Sequence, residues 1–160
     1  MQQQSKFPFR GQGLEWSLKK FDDLTIAELY AILQLRNEVF VVEQNCPYQD
    51  ADNKDQESLH FMGWDGNTLA AYTRIIPKGI SYAEASIGRV VTSPKYRGTG
   101  IGKTLMQLSI GHTFTVFDCT EIKIGAQLYL KKFYEDLGFV QCSEQYLEDN
   151  IPHIEMLLTK

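Results

Sequence analysis

From Arg97 to Lys103 the chain reads Arg-Gly-Thr-Gly-Ile-Gly-Lys. Glycines at 98, 100 and 102 remove the Cβ atoms that keep a ligand away from the backbone. An apolar run (Ile87, Val90, Val91) leads into this stretch, and an apolar-periodic segment follows it. The glycines therefore sit where a strand ends and a helix opens. A helix start aims free N–H groups and the positive end of its dipole at one spot. Arg97 and Lys103 flank that spot with positive charge. Gly98, Thr99, Gly100, Ile101 and Gly102 thus read as the backbone cradle of an anion, a phosphate or diphosphate.

The spacing discriminates between phosphate ligands. A nucleotide P-loop requires Gly-x-x-x-x-Gly-Lys-Ser/Thr, and counting back from Gly102-Lys103-Thr104 puts Arg97 at the first position. The dinucleotide fingerprint Gly-x-Gly-x-x-Gly fails too, because here the glycines alternate. Arg97, Gly100 and Gly102 instead match Arg-x-x-Gly-x-Gly. In this the chain resembles the GNAT acetyltransferase superfamily, whose diphosphate loop reads Gln/Arg-x-x-Gly-x-Gly/Ala. Phe133-Tyr134-Glu135-Asp136-Leu137-Gly138-Phe139 resembles the second signature of that family, Phe-Tyr-x-x-x-Gly-Phe. The segment Arg36–Tyr48, the Asp52/Asp55/His60 run and Leu147–Met156 are similar to the ElaA-like branch.

The resemblance implies acetyl-CoA as cosubstrate, with no metal. Its diphosphate would lie at Arg97–Lys103 and its pantetheine arm along Val90, Val91 and Thr92, with Gln127 and Phe133 nearby. It also implies that Tyr134 assists the departing sulfur, and that Arg36, Glu43, His60 and His153 line the acceptor side. A phenol (pKa about 10) is a weaker acid than an alkyl thiol (about 8.5), so full proton transfer to the thiolate is uphill by about 2 kcal/mol. Tyr134 is therefore expected to hydrogen-bond the sulfur more than to surrender its proton. A base must take a proton from the attacking ammonium, and Glu43, His60 and His153 all stand as candidates. The expected activity is N-acetyl transfer to a primary amine of a small molecule or peptide. The alternative is a non-catalytic CoA-binding module acting as a sensor or partner subunit.

Composition sets the outer limits. A chain of 160 residues fits one domain with a sizeable core. A net charge of −4 with no basic stripe argues against a nucleic-acid partner. No apolar run approaches the roughly 20 residues of a membrane span, and the N-terminus has no signal-peptide core. Cys46, Cys119 and Cys142 are odd in number without Cys-x-x-Cys spacing, so a cytoplasmic, reduced protein is expected. Asp50, Asp52 and Asp55 fail as a calcium loop, since Lys54 and Asp55 occupy its fifth and sixth positions. His60, His112 and His153 lack zinc spacing.

The elements that must position these groups follow from periodicity. Residues 1–13, with Pro8, Gly11 and Gly13, read as a flexible lead-in before one domain over 14–160. Leu14, Trp16 and Leu18 alternate as a strand. Thr25-x-x-Glu28 is a capping box, and a helical or irregular piece continues from Arg36 to Gln44. Residues 45–58 form a long polar loop. Runs 59–64 and 69–76 make a hairpin through Asp65-Gly66-Asn67. A strand over 84–92, the glycine loop, a helix to Phe117, a strand over 121–125 and a helix from Gln127 to Leu137 follow, then strands at 139–142 and 153–158. This order predicts a mixed α/β (α+β) sheet, mostly antiparallel, with helices on both faces. The family resemblance adds one parallel pair that splays apart. A homodimer through the C-terminal strands is a further expectation.

Overall fold

The computed structural model describes residues 7–9 and 12–160. Its strands are β1 (Phe7–Phe9), β2 (Gln12–Lys20), β3 (Leu59–Asp65), β4 (Thr68–Ile76), β5 (Ser86–Thr92), β6 (Glu121–Gln127), β7 (Val140–Gln141), β8 (Tyr146–Glu148) and β9 (Ile151–Thr159). The helices are α1 (Ile26–Arg36), α2 (Ile101–Phe117) and the short α3 (Lys131–Glu135), and a π-helical stretch over Asn37–Glu43 continues α1. Of the expected lead-in, residues 1–6, 10 and 11 lie outside the described residues. Phe7–Phe9 pair antiparallel with the start of β2.

Strands β1 to β5 form an antiparallel meander, and β6, β9 and β7 form a second sheet in which β8 also pairs with β9. The two sheets meet at a single parallel bridge, Ala85 to Ile122, where Lys123 N–H donates to the Ala85 carbonyl at 2.9 Å. Beyond it β5 and β6 diverge, as the expected splayed pair. The hairpin from β3 to β4 closes with Gly66 and Asn67 alone between the paired Asp65 and Thr68, and Gly66 takes φ +58°.

Alternation along β3 explains why helices cover both faces. Phe61 points to α2, where it joins Leu14, Ile75, Ile101 and Leu105. Its neighbour Met62 points to α1, beside Ile32, Leu35, Val39, Tyr72 and Val91. A third cluster joins Met106 of α2 with Ile122, Ile124, Tyr134, Phe139, Ile154 and Met156. Successive residues of α2, Leu105 and Met106, thus bury against different sheets, each contributing roughly 1.5–3 kcal/mol. This helix spans the junction and holds both sheets from behind.

Two expectations need correction. The helix expected from Gln127 to Leu137 is shorter: Gln127 ends β6, a 3-10 turn covers Leu128–Leu130, and α3 runs only over Lys131–Glu135. Pairing of Gln127 with His153 carries the strand on to that residue. Strand β8, at Tyr146–Glu148, was not anticipated, because three residues carry no readable alternation.

The polar loop 45–58 docks through charge. Arg36, wholly buried at the end of α1, binds Asp50 (Nε to Oδ2, 2.9 Å) and Asp55 (Nη1 to Oδ1, 2.8 Å). Arg74 binds Asp52 through two nitrogens at 2.7 and 2.8 Å, and Asp55 at 2.9 Å. The aspartates are therefore counterions of buried arginines. Burial would raise the Asp52 and Asp55 pKa values, but the hydrogen bonds and charges of Arg74 and Arg36 outweigh it and hold both below the usual carboxylate range.

His60 sits in the same core. A carbonyl only accepts, so the 2.9 Å contact of Nε2 with the Asp55 carbonyl places the proton on Nε2. Nδ1 then accepts from the Tyr72 hydroxyl at 2.7 Å. Burial pushes the His60 pKa below its ordinary value. The folded state thus prefers neutral His60, so stability is full above about pH 6.5 and falls as pH drops from there toward the folded pKa. A second decline follows below about pH 4, as Asp52 and Asp55 are forced to protonate. Urea titrations should give a lower unfolding free energy at about pH 5 than at about pH 7. His60→Gln should reduce that difference without removing it, because burial also lowers the His112 pKa. An unchanged pH difference in the variant would contradict the assignment.

Candidate functional site

The divergence of β5 and β6 opens a cavity of about 1220 Å³. Val90, Val91 and Thr92 line one wall, and Ile124, Gly125, Ala126 and Gln127 the other. Ser93 N–H donates to the Ala70 carbonyl of the β4 side at 2.8 Å. Backbone direction alternates along a strand, so the amides of Thr92 and Val90 turn the other way, into the gap. Val91 pairs with Tyr72 and directs its backbone to β4. The gap thus presents a strand edge whose partner has moved away, as strand addition by an amide-bearing ligand requires.

At one end of the cavity lies the glycine loop. Gly98 takes φ +76° and Gly100 φ +83°, the left-handed region in which a side chain is strained. Gly100 is the N-cap of α2 and supplies no side-chain cap, and the first turn carries no acidic residue. The contrast is α1, where Thr25 and Glu28 form a reciprocal capping box. The leading amides of α2 are therefore left for an external anion. Arg97 lines the cavity, its Nη1 2.7 Å from Glu43 Oε1. Both side chains are more than 40% exposed, so the pair is weak and Arg97 can turn to a phosphate. Gly98, Gly100, Ile101 and Gly102 line the cavity, whereas Thr99 and Lys103 do not. Thr99 Oγ1 caps the Tyr96 carbonyl at 2.5 Å, and Lys103 is exposed on the first turn of α2.

The expected catalytic residues separate into those at the cavity and those away from it. Tyr134 is 6% exposed and stacks edge-on with Phe133 and Phe139, while its residue lines the cavity. Burial, with the neighbouring Tyr129, pushes its pKa far above the ordinary tyrosine value, so the phenol stays protonated. Phe133 and Gln127 are also at the wall, the latter bonded to Gln44 Oε1 at 3.3 Å. His153 lines the cavity, and the contact of Nδ1 with the Ile151 carbonyl at 2.7 Å places the proton on Nδ1. Nε2 then carries the lone pair, 3.4 Å from the Glu148 carboxylate. His60 and Arg36 do not line it. Both belong to the buried charge cluster, which corrects the expectation that they face the acceptor.

Sequence reasoning missed Asp52, Arg74, Arg89, Tyr82 and Glu148, all at the cavity wall. The signal for the arginines was present: Arg74 and Arg89 interrupt apolar strands, and a cation there needs a carboxylate partner. No comparable signal marked Tyr82, whose hydroxyl approaches Gly125 so closely that a Cβ there would stand 2.8 Å from it.

A gap between diverging strands with an uncapped helix start at its mouth is the architecture the two motifs lead one to expect. A family model described as an acetyltransferase (GNAT) domain matches residues 23–160. The chain belongs to the GNAT acetyltransferase family. This GNAT chain is 41% identical over 145 residues to protein ElaA of Escherichia coli, covering 89% of this chain and 95% of that protein. The crystal structure of Escherichia coli ElaA superposes with a TM-score of 0.85, covering 91% of this chain and 99% of that one. That of an acyl-CoA N-acyltransferase from Pseudomonas aeruginosa superposes at 0.87 with 43% identity, covering 91% and 99%. An aminoglycoside 6′-N-acetyltransferase complexed with coenzyme A shares the fold at 18% identity (TM-score 0.67, covering 89% and 96%). No helix among the described residues is long and apolar enough to cross a membrane.

The glycines of the GNAT loop differ in what they require. Gly100→Ala places a Cβ at φ +83° and should cost about 1–2 kcal/mol in urea unfolding. Gly102→Ala meets only Thr92 Oγ1 at 3.8 Å, an ordinary contact, and should stay within about 0.5 kcal/mol of the parent. Equal losses in the two variants would contradict this reading of the loop.

Proposed function

We propose that the chain is an acetyl-CoA-dependent N-acetyltransferase acting on a primary amine of a small molecule or peptide. One observation carries this reading: the uncapped start of α2, the backbone edge of β5, Tyr134 and His153 border one continuous cavity. The site fits the cosubstrate in its parts. The amides opening α2 and Arg97 suit a diphosphate, and the Val90 and Thr92 edge suits the two amides of pantetheine.

Transfer needs the amine nitrogen to attack the thioester carbonyl carbon, the carbon–sulfur bond to break and a thiolate to leave. The incoming ammonium must first lose a proton. His153 is the base this arrangement supports, because its Nδ1–H is committed to Ile151, which leaves the lone pair on Nε2. Glu148, 3.4 Å from Nε2, stabilises the imidazolium that forms. Glu43 sits beside Arg97 at the diphosphate end of the cavity, and His60 is sealed in the core, so neither is placed to take the proton of the amine. As the carbonyl oxygen gains negative charge, an amide of the β5 edge supplies a hydrogen bond. Tyr134, kept neutral, donates to the departing sulfur. Its raised pKa makes complete proton transfer still less favourable than the unperturbed values imply.

Calorimetric titration of ligand-free protein should show stoichiometric binding of acetyl-CoA and CoA, and its absence would overturn the proposal. Acetyl-CoA consumption should appear with at least one member of a panel of amino acids, polyamines, aminoglycosides and peptide N-termini. On that acceptor His153→Gln should lower kcat by about 10²-fold or more, with the CoA Kd nearly unchanged. Tyr134→Phe should lower kcat while likewise sparing CoA affinity. Full activity in His153→Gln would remove His153 as the base.

A further inference from the structure

The pairing of β4 with β5 slips at one point. Tyr72 faces Val91 and Arg74 faces Gly88, so Thr73 alone stands opposite both Arg89 and Val90. This is a β-bulge, which re-aims the backbone that follows it. Arg89 takes φ +50° there. The other non-glycine residues with positive φ among those described, Asn45, Asn53, Asp118, Asp149 and Asn150, all lie in turns or loops, and Arg89 alone lies inside a strand. Nothing local to an arginine favours that conformation, so something outside β5 must hold it.

The guanidinium supplies the hold. Arg89 Nε donates to Asp50 Oδ1 at 2.8 Å, and Nη2 donates to the Asp50 carbonyl at 3.0 Å and to Asp52 Oδ2 at 3.2 Å. The group also lies over the Tyr48 ring, 5.7 Å from its centre. The two aspartates are themselves fixed from the other side, Asp50 by Arg36 and Tyr48, Asp52 by the fork of Arg74. The loop 45–58 and the bulge of β5 are therefore fastened to each other at several points. The amide of Val90, immediately after Arg89, is one of those turned into the gap.

We propose that Arg89 is a positioning residue: gripped by Asp50 and Asp52, it holds β5 in the bulged register that aims the Val90 amide at the thioester carbonyl. Loop 45–58, which contributes Tyr48, Gln49 and Asp52 to the cavity wall, and the polarising amide are thereby assembled as one unit. This rests on the acyl-transfer reading above. It adds a residue that acts through the backbone of β5.

The test needs no acceptor. Isotope-edited infrared difference spectra of acetyl-CoA carrying ¹³C at the thioester carbonyl report hydrogen bonding to that oxygen as a lowered stretching frequency. Wild-type protein should lower the band relative to free acetyl-CoA. Arg89→Ala and Arg89→Gly should both lose the lowering, while calorimetry still shows CoA binding, weakened by no more than about tenfold, because the diphosphate loop is remote from the change. Arg89→Lys, which keeps the charge and loses the fork, should recover part of the shift. Glycine accepts φ +50° without strain, so it separates backbone preference from side-chain anchoring. If Arg89→Gly keeps the wild-type band while Arg89→Ala loses it, the anchor is unnecessary and the proposal fails. It fails equally if Arg89→Ala keeps the band, or if bound wild type shows no lowering, and in both cases acetyl-CoA binding still stands. Absence of acetyl-CoA binding to wild type would instead remove the reading on which the proposal is built.

Discussion

The site depends on two neighbouring strands pairing once and then parting. At Ala85 and Ile122 the backbones of β5 and β6 meet in a parallel bridge, and beyond it each turns its pairing capacity elsewhere. β5 remains bonded to β4, and β6 to β9 along its whole length from Glu121 to Gln127. Had the strands continued together, the amides of Val90 and Thr92 would be consumed in a ladder and the cavity would close. Separation leaves polar backbone without a partner, a state a protein tolerates only where water or a ligand can reach it. Helix α2 makes the opening sustainable. Its Ile101 and Leu105 bury against the first sheet and its Met106 against the second, so the sheets are held at their back while their edges part in front.

The second organising element is the cluster of Arg36, Arg74 and Arg89 with Asp50, Asp52 and Asp55. Three positive and three negative groups balance, and every guanidinium has a carboxylate within 3.2 Å. Such an arrangement is an uncertain source of stability, because desolvation offsets much of the attraction. Its effect is on specificity of position. Loss of any one partner leaves an opposite charge buried and uncompensated, so the loop 45–58 has one low-energy way to sit on α1, β4 and β5. A loop of fourteen mostly polar residues, 45–58, with no such anchors would offer the cavity a variable wall.

Much of this was legible in the chain itself, for identifiable reasons. The glycine loop could be read because positive φ at two positions and an uncapped helix start each demand a particular residue type. The α1 start could be read from Thr25 and Glu28, and the β3–β4 turn from Gly66. What could not be read depended on distant pairing. Gln127 looks helical beside Leu128 to Leu137, and only its register opposite His153 makes it a strand residue. His60 and His153 are each a single histidine in an apolar segment, and nothing in their neighbours distinguishes the buried one from the one at the cavity. The difference lies in partners across the fold, Tyr72 and Asp55 for the first, Ile151 and Glu148 for the second.

Those partners bear on where protons travel in the proposed transfer. An ammonium that becomes an amide sheds two protons, and the departing thiolate regains one. The cavity holds two groups of opposite disposition for this exchange. His153 has its N–H engaged by a carbonyl and its lone pair on Nε2, where the Glu148 carboxylate at 3.4 Å favours the proton once it is accepted. Tyr134 has its ring enclosed by Phe133, Phe139 and the sheet of β6 and β9, and burial keeps its proton on. Since the phenol is a weaker acid than the thiol it faces, it can stabilise the developing thiolate without being consumed and needs no reprotonation between turnovers. The proton that finally reaches the sulfur is then drawn from the second N–H of the attacking nitrogen or from solvent entering with product release. On this account His153 receives the proton of the entering amine, whereas Tyr134 keeps its own proton throughout.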